Sequence, residues 1–139
     1  MPQGQDFRLY IANATNDDWL LIENFGDSTY ERGKTAAVEV YKGNDQQAYI
    51  SRSGQTITGQ VGMTSPRSTA HARVEAVAAS EEVIRVKYED ITNAGGFAVH
   101  GNARLTLGSQ SDPTDGISST EISVAFDQPP TEAVSPVAF

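Results

Sequence analysis

Cysteine is absent from the 139 residues of the chain. The sequence therefore excludes disulfide bonds, thiolate metal sites and a cysteine nucleophile, and it leaves the redox state of the compartment open. No run of eighteen apolar residues occurs, and the segment MPQGQDFRLY lacks the basic and apolar regions of a secretory signal. We therefore expect a soluble protein that is made in a cytoplasm.

Basic residues are few: 10 Lys and Arg stand against 18 Asp and Glu, which gives a formal net charge of −8. Proteins that grip nucleic acid gather basic side chains on one face, whereas the basic residues are scattered along this chain. The charge pattern argues against a nucleic-acid-binding protein. Surface acidity by itself usually indicates only solubility.

Motifs for catalysis or metal binding are also scarce. The two histidines, His71 and His100, are not at ligand spacing, and the chain has no G-x-S-x-G motif. Asp112 and Asp115, in SDPTDG, supply only part of a calcium loop. We therefore expect no catalytic site, no metal site and no cofactor, and we expect His71 to tolerate replacement by Ala or Gln.

Polar and apolar residues alternate with a period of two along much of the chain. Ile122, Val124 and Phe126 share one parity, and the segments VIRVKYEDI and FAVHGNARLTL show the same alternation. FRLYIA, WLLIENF and GQTITGQVGM indicate further strands. The pattern predicts a mainly β protein, a β-sandwich or partly closed barrel, with a single domain over residues 1–126.

Three segments depart from the strand pattern. Ser65-Pro66 fits an N-cap and first helical residue, and a stripe of apolar residues follows it, which predicts one packed helix at about 66–80. Residues at about 42–55 are polar and predict a long loop. Residues 127–139 carry three of the six prolines. They predict an extended C-terminal arm outside the sheet.

The order of these elements resembles that of the major tail tube proteins of long, non-contractile-tailed bacteriophages, a group that includes the tails of gene transfer agents. The resemblance covers nearly the whole chain except the proline-rich end: an arm TYERGKTAAVEVYKGNDQQAY, a strand GQTITGQVGM, an alanine-rich helix and a C-terminal meander. Its most specific part runs from Lys87 to Phe126, with Pro113, Asp115 and Gly116 in the loop before the last strand.

The resemblance implies a structural virion protein without enzymatic activity, located in the virion tail and made in the host bacterial cytoplasm. Its implied partners are further copies of itself in stacked hexameric rings, the tape-measure protein and other tail proteins. DNA would pass through the tube without specific binding, and no membrane is involved.

The resemblance also implies where contacts lie. We expect inter-ring or inter-subunit contacts in the polar arm and in the acidic loop, at Lys42, Asn44, Asp45, Gln47, Arg52, Asp112 and Asp115. We expect acidic side chains to line the lumen, at Glu31, Glu39 and Asp45, since carboxylates repel the phosphates of passing DNA.

Other functions stay open at this point. A tail completion protein, a baseplate protein or the inner tube of a contractile tail would share the fold. A monomeric carbohydrate-binding β-sandwich would use Trp19 and the tyrosines as a stacking platform. An enzyme with a carboxylate site is the third alternative.

Overall fold

The computed structural model describes residues 7–40, 43, 46–92, 95–112, 114 and 118–139. In this part of the chain, ten strands and one helix follow one another. They are β1 (Phe7–Ala12), β2 (Trp19–Leu21), β3 (Phe25–Glu31), β4 (Lys34–Val40), β5 (Gln46–Arg52), β6 (Thr56–Val61), α1 (Thr69–Ser80), β7 (Ile84–Asp90), β8 (Phe97–Ser111), β9 (Ser119–Phe126) and β10 (Thr131–Val134).

Eight of the strands form one antiparallel sheet, in the order β2-β1-β7-β8-β9-β6-β3, with β10 paired to β8. The long strand β8 is shared, because its first residues pair with β10 and its later residues pair with β9. The mainly β fold with one helix is confirmed. Since β2 and β3 end the sheet without pairing to each other, the sheet is open and does not close into a barrel.

The sheet curls so that β3 faces β7 and β8 across the core. The ring of Phe25 lies 6.4 Å from that of Tyr88, and the Ser28 Oγ and Tyr88 hydroxyl oxygens are 2.6 Å apart. Apolar residues of alternate parity fill the space between the layers, among them Leu9, Ile11, Ile57, Val61, Val86, Val99, Leu105, Ile122 and Val124. Burial of this apolar surface is the main source of stability.

The helix begins three residues after Pro66, so the predicted start at Ser65-Pro66 is wrong. Ser68 is the N-cap and its side chain accepts a hydrogen bond from the backbone N–H of His71 at 3.3 Å. The Thr64 Oγ1 accepts from the Ser68 N–H at 2.7 Å, which holds residues 64–68 in a turn outside the helix. The predicted end near residue 80 is confirmed.

Two predicted irregular segments contain strands. Within the predicted polar loop at about 42–55, residues Gln46–Arg52 form β5 and pair with β4 in a two-stranded sheet. The prediction that the tail lies outside the sheet is wrong for Thr131–Val134, which pair with β8 as β10. The prolines flank β10 instead of interrupting it, and this is where strands tolerate proline.

Candidate assembly surface

Strands β4 and β5 form a hairpin that is separate from the main sheet, and we call it the hairpin arm. All seven residues of β5 are exposed, and in β4 only Ala37 is partly buried. The exposed side chains include large apolar ones, with Val38 58% exposed, Val40 70% and Ile50 57%. Exposed apolar side chains in one contiguous element are typical of a contact surface.

The register of the hairpin arm sorts its side chains onto two faces. Val38 pairs with Ala48, and Ala36 with Ile50, which puts these residues on one face together with Val40. We call this the apolar face. The other face is mainly polar and carries Glu39, which pairs with Gln47. A free-standing hairpin with one apolar face is marginally stable in water and gains stability when that face is covered.

The root of the hairpin arm is fixed by the backbone. Ser53 donates its backbone N–H to the Gly33 carbonyl at 2.6 Å, and the Ser53 hydroxyl donates to the same oxygen at 3.3 Å. Gly33 has a φ of +64°, and a Cβ at this position would lie 2.6 Å from the Ser53 carbonyl oxygen. Glycine is therefore required where the arm leaves the sheet.

An ion pair ties this root to the C-terminal strand. Arg32 Nε donates to Glu132 Oε2 at 2.9 Å, and the Arg32 guanidinium lies over the rings of Tyr30 and Phe97. The hydrogen bond from Arg32 and the positive charge beside it hold the pKa of Glu132 below its ordinary value. Burial, followed by the nearby Glu132 charge, raises the pKa of Tyr30. The contact links the arm to β10.

The last residues of the chain close over the outer face of β7. Lys87 and Glu89 form a buried ion pair, with 2.9 Å between Nζ and Oε1. Val137 completes their hydrogen bonding, because its carbonyl accepts from Lys87 Nζ at 2.9 Å and its N–H donates to Glu89 Oε2 at 2.9 Å. A buried ion pair is tolerated when such bonds satisfy it. The tail is therefore part of the folded body.

Trp19 lies under the same tail. Its Nε1 donates to the Val137 carbonyl at 3.2 Å, and its ring packs edge-on against Phe139 with 4.9 Å between the centroids. Arg85 stacks over both rings. Since the chain's own C-terminus covers Trp19, this residue does not offer the open platform that sugar stacking needs.

A groove lies between the loop after β1 and the outer side of α1. It has a volume of 540 Å³ and is lined by the apolar side chains of Ala14, Leu20, Ala72 and Ala76 and by the polar residues Asn13, Thr15 and Thr69. Arg73 also lines it. The Arg73 Nη2 pairs with Glu82 at 3.1 Å, while its Nε is buried and has no hydrogen-bond partner among the described residues.

The predicted contact residues fall into two groups. Lys42, Asn44, Asp45 and Asp115 lie outside the described residues. The others are exposed: Gln47 and Arg52 in β5, and Asp112 directly after β8. Hydrogen bonds from Ser118 and Gln110 hold the pKa of Asp112 below its ordinary value, which keeps it charged. The structure thus puts two of the seven on the hairpin arm.

The predicted lumen residues are not brought together on one strand. Glu31 ends β3 next to the root of the arm, and Glu39 lies on the polar face of β4. Both are exposed, and Asp45 lies outside the described residues. A lumen is formed by several subunits, and their lumen role stays a prediction.

The described ranges contain neither a cluster of metal-ligating side chains nor a helix that could span a membrane. Within them, no three histidine or carboxylate side chains are placed together as metal ligands would be. In the same ranges, the helix is too short and too polar to span a bilayer.

No protein-family model and no curated protein matches the sequence. Solved structures do match. A chain from the tail of an empty gene transfer agent particle with C6 symmetry aligns over 94% of this chain and 98% of its own, with a TM-score of 0.73 and 14% identity. The SPP1 tail tube aligns over 97% of this chain and 80% of its own, with a TM-score of 0.67 and 14% identity. The chain has the tail tube fold.

A third structure, the virion of a native gene transfer agent particle, contains a chain that aligns with 97% of this one and 99% of its own length. Its TM-score is 0.66 at 13% identity. The resemblance seen in the sequence is therefore confirmed for the tail tube fold. The sequences have diverged so far that the likeness lies in the arrangement of the strands.

Sequence reasoning missed two features of this tail tube fold. The apolar face of the hairpin arm was overlooked, although the alternation in KTAAVEV puts Ala36, Val38 and Val40 on one parity. The contacts of Val137 with Lys87 and Glu89 had no sequence signal, because they join positions about fifty residues apart.

Proposed function

We propose that the chain is the structural subunit of a virion tail tube, and that it self-assembles into hexameric rings that stack into the tube. The observation that carries the proposal is the hairpin arm, whose apolar face is exposed and which is separate from the main sheet of the tail tube fold. The C6 symmetry of the matched gene transfer agent tail supports six subunits in a ring. The role is structural and involves no enzymatic activity.

Ring formation would use the open edges of the main sheet. The edge strand β3 is seven residues long, and within the described residues only β6 pairs with it. Such an edge carries unpaired backbone N–H and C=O groups and is an aggregation hazard in a monomer. In a closed ring the edges of neighbouring subunits would cover one another.

Ring stacking would use the hairpin arm. Gln47 and Arg52 lie on it, and Lys42, Asn44 and Asp45 lie between its two strands in the sequence. These five residues are proposed contacts to the next ring. Asp112 and Asp115 are proposed contacts at a ring rim, because they belong to the loop between β8 and β9.

The acidic charge would serve the passage of DNA. With a net charge of −8 per subunit, carboxylates can be placed on the outer wall and in the lumen, where they stay hydrated. Lys and Arg contacts to phosphate would add salt-dependent affinity and slow the DNA. Glu31, Glu39 and Asp45 are the proposed lumen residues, and the tape-measure protein is the proposed occupant before DNA.

The experiment is negative-stain electron microscopy of the purified protein over a range of concentrations. We expect rings and tubes from the wild type. Ile50→Asp puts a charge on the apolar face and is expected to abolish tubes, whereas Ser51→Asp puts the same charge on the opposite face of the same strand and leaves them. Circular dichroism checks that both variants fold. A persistent wild-type monomer would contradict the proposal.

A further inference from the structure

We propose that the apolar face of the hairpin arm of one copy seats in the groove between α1 and the loop after β1 of a second copy. The inference rests on the proposed function, and it names the surface that receives the arm. Three properties of the groove match three properties of the arm: apolar side chains in part of its lining, an unpaired buried donor, and charge in the adjoining loop.

The first match is between apolar surfaces. Ala72 and Ala76 are one turn apart on α1, and Leu20 lines the groove from β2. Small side chains on a helix leave room for another element to approach the backbone closely. The groove is open to solvent and has a volume of 540 Å³, and Val38, Val40 and Ile50 are large enough to fill part of it.

The second match is a hydrogen bond. A buried donor without a partner costs about 1 to 3 kcal/mol, and the Arg73 Nε at the groove is such a donor. The hairpin arm is a sheet of two strands, so each strand has an outer edge with backbone carbonyls that no strand of the described residues pairs. Because the Nε is buried in the free chain, the Arg73 side chain, which is 22% exposed, would have to turn toward the arm for a carbonyl of this edge to accept its Nε–H.

The third match is charge. Asp17 and Asp18 belong to the loop after β1, whose residues Asn13, Ala14 and Thr15 line the groove, and both aspartates are exposed. Hydrogen bonds from Asn13 and Thr15 hold the pKa of Asp17 low, so it stays ionised. The apolar face of the arm is flanked at its root by Lys34 and Arg52, which pair across the strands. Opposite charges at the rim would fix the register of the two copies.

A second copy is the occupant that these observations favour. The arm and the groove are different surfaces of one chain, so their contact is head-to-tail and leaves a free arm and a free groove at the ends of the assembly. A head-to-tail contact gives a closed ring or an open stack according to the rotation between copies, and the proposal assigns this one to the stack of rings.

The experiment uses the cysteine-free background. One population carries Ala76→Cys in the groove, and a second carries Ile50→Cys on the apolar face. The two are mixed, assembled, treated with a mild oxidant and run on a non-reducing gel. The control replaces Ile50→Cys with Ser51→Cys, which is the neighbouring residue on the opposite face. We expect at least fivefold more crosslinked dimer from the Ile50 pair than from the Ser51 pair.

Failure of the inference and failure of the proposed function give different results. Tubes with equal crosslinking from both pairs would overturn the inference and leave the tube function standing. Selective crosslinking of small oligomers without rings or tubes would support the contact and contradict the tube function. The absence of both tubes and selective crosslinking would overturn the inference and the proposed function together.

A second variant tests the groove without cysteine chemistry. Ala76→Trp fills the groove. Ala79→Trp puts the same side chain one turn further along α1, at an exposed position that does not line the groove. We expect at least a tenfold loss of tubes from Ala76→Trp and none from Ala79→Trp. Normal tube yield from folded Ala76→Trp would overturn the proposed seat.

Discussion

Replacement of His71 by alanine is expected to destabilise the protein strongly, contrary to the tolerance expected from the sequence. His71 is fully buried on the core side of α1. Its Nδ1 accepts from the Thr64 backbone N–H at 3.1 Å, and its Nε2 lies 2.8 Å from the Glu23 carbonyl oxygen, to which it donates. The ring therefore connects the helix, the turn before it and the segment after β2.

The magnitude follows from these contacts. Removal of the ring leaves the Thr64 N–H and the Glu23 carbonyl unpaired, at about 1 to 3 kcal/mol each when both stay buried. It also leaves a cavity, which adds about 1 to 2 kcal/mol unless water enters. Two polar groups at the cavity favour a bound water, which offsets part of the loss. We expect a net loss of about 3 to 5 kcal/mol, a large part of the stability of a domain of this size.

The assay is urea unfolding followed by the fluorescence of Trp19, the only tryptophan in the chain. The matched control is His100→Ala, because His100 is only half-buried in β8 and its truncation leaves a smaller cavity. We expect the control to lose less than about 1 kcal/mol. A free energy of unfolding for His71→Ala within about 1 kcal/mol of the wild type would refute the reasoning.

Three further predictions concern the arm, the tail and the root ion pair. Gly33→Ala adds a Cβ at a positive φ, 2.6 Å from a backbone oxygen, and should lower the yield of tubes without unfolding the body, whereas Gly54→Ala, where the added Cβ meets nothing within 4 Å, should not. Deletion of residues 137–139 uncovers the buried ion pair of β7 and should lower the free energy of unfolding by about 2 to 4 kcal/mol. The control, Ala138→Ser, should lower it by less than about 0.5 kcal/mol. The hydrogen bond from Arg32 lowers the pKa of the Glu132 carboxylate in the folded protein. The stability that this ion pair contributes is therefore complete above pH 4.5, the ordinary pKa of the group, and is lost as the pH falls through the lower pKa of the folded state.

Each of these three predictions would be contradicted by one specific result. Equal tube yields from the two glycine variants would remove the steric argument for Gly33. A deletion mutant as stable as the wild type would show that the tail contributes nothing to the body. The NMR signal of the Arg32 Nε–H should titrate below pH 4.5 in the wild type and not in Glu132→Gln, and a titration that persists in the variant would refute the pairing.

The sequence predicted the elements that bury one face. Ile122 and Val124 alternate with exposed residues because one side of β9 faces the core, and this alternation is visible in the residue types. The helix was found for the same reason, since Val74 and Val77 point into the core. Its first residue was missed because the turn before it depends on the hydrogen bond that the Thr64 Oγ1 accepts from the Ser68 N–H, which residue types do not reveal.

The remaining elements were missed because their residue types carry little information on burial. Strand β5 has no buried side, so it lacks the alternation that would distinguish it from a polar loop. Strand β10 was not predicted because the prolines that flank it indicated an extended arm outside the sheet. The candidate surface could be predicted only as a segment of the chain, because the faces of the hairpin arm depend on the register between β4 and β5.

The measurement that tests the central claim most directly is a three-dimensional reconstruction, by electron microscopy, of the particles that the purified chain forms. The account predicts stacked rings of six subunits, hairpin arms between the rings and a lumen with net negative charge. A lumen lined mainly by Lys and Arg would contradict the proposed passage of DNA. A folded protein that stays monomeric at every concentration would contradict the tube itself.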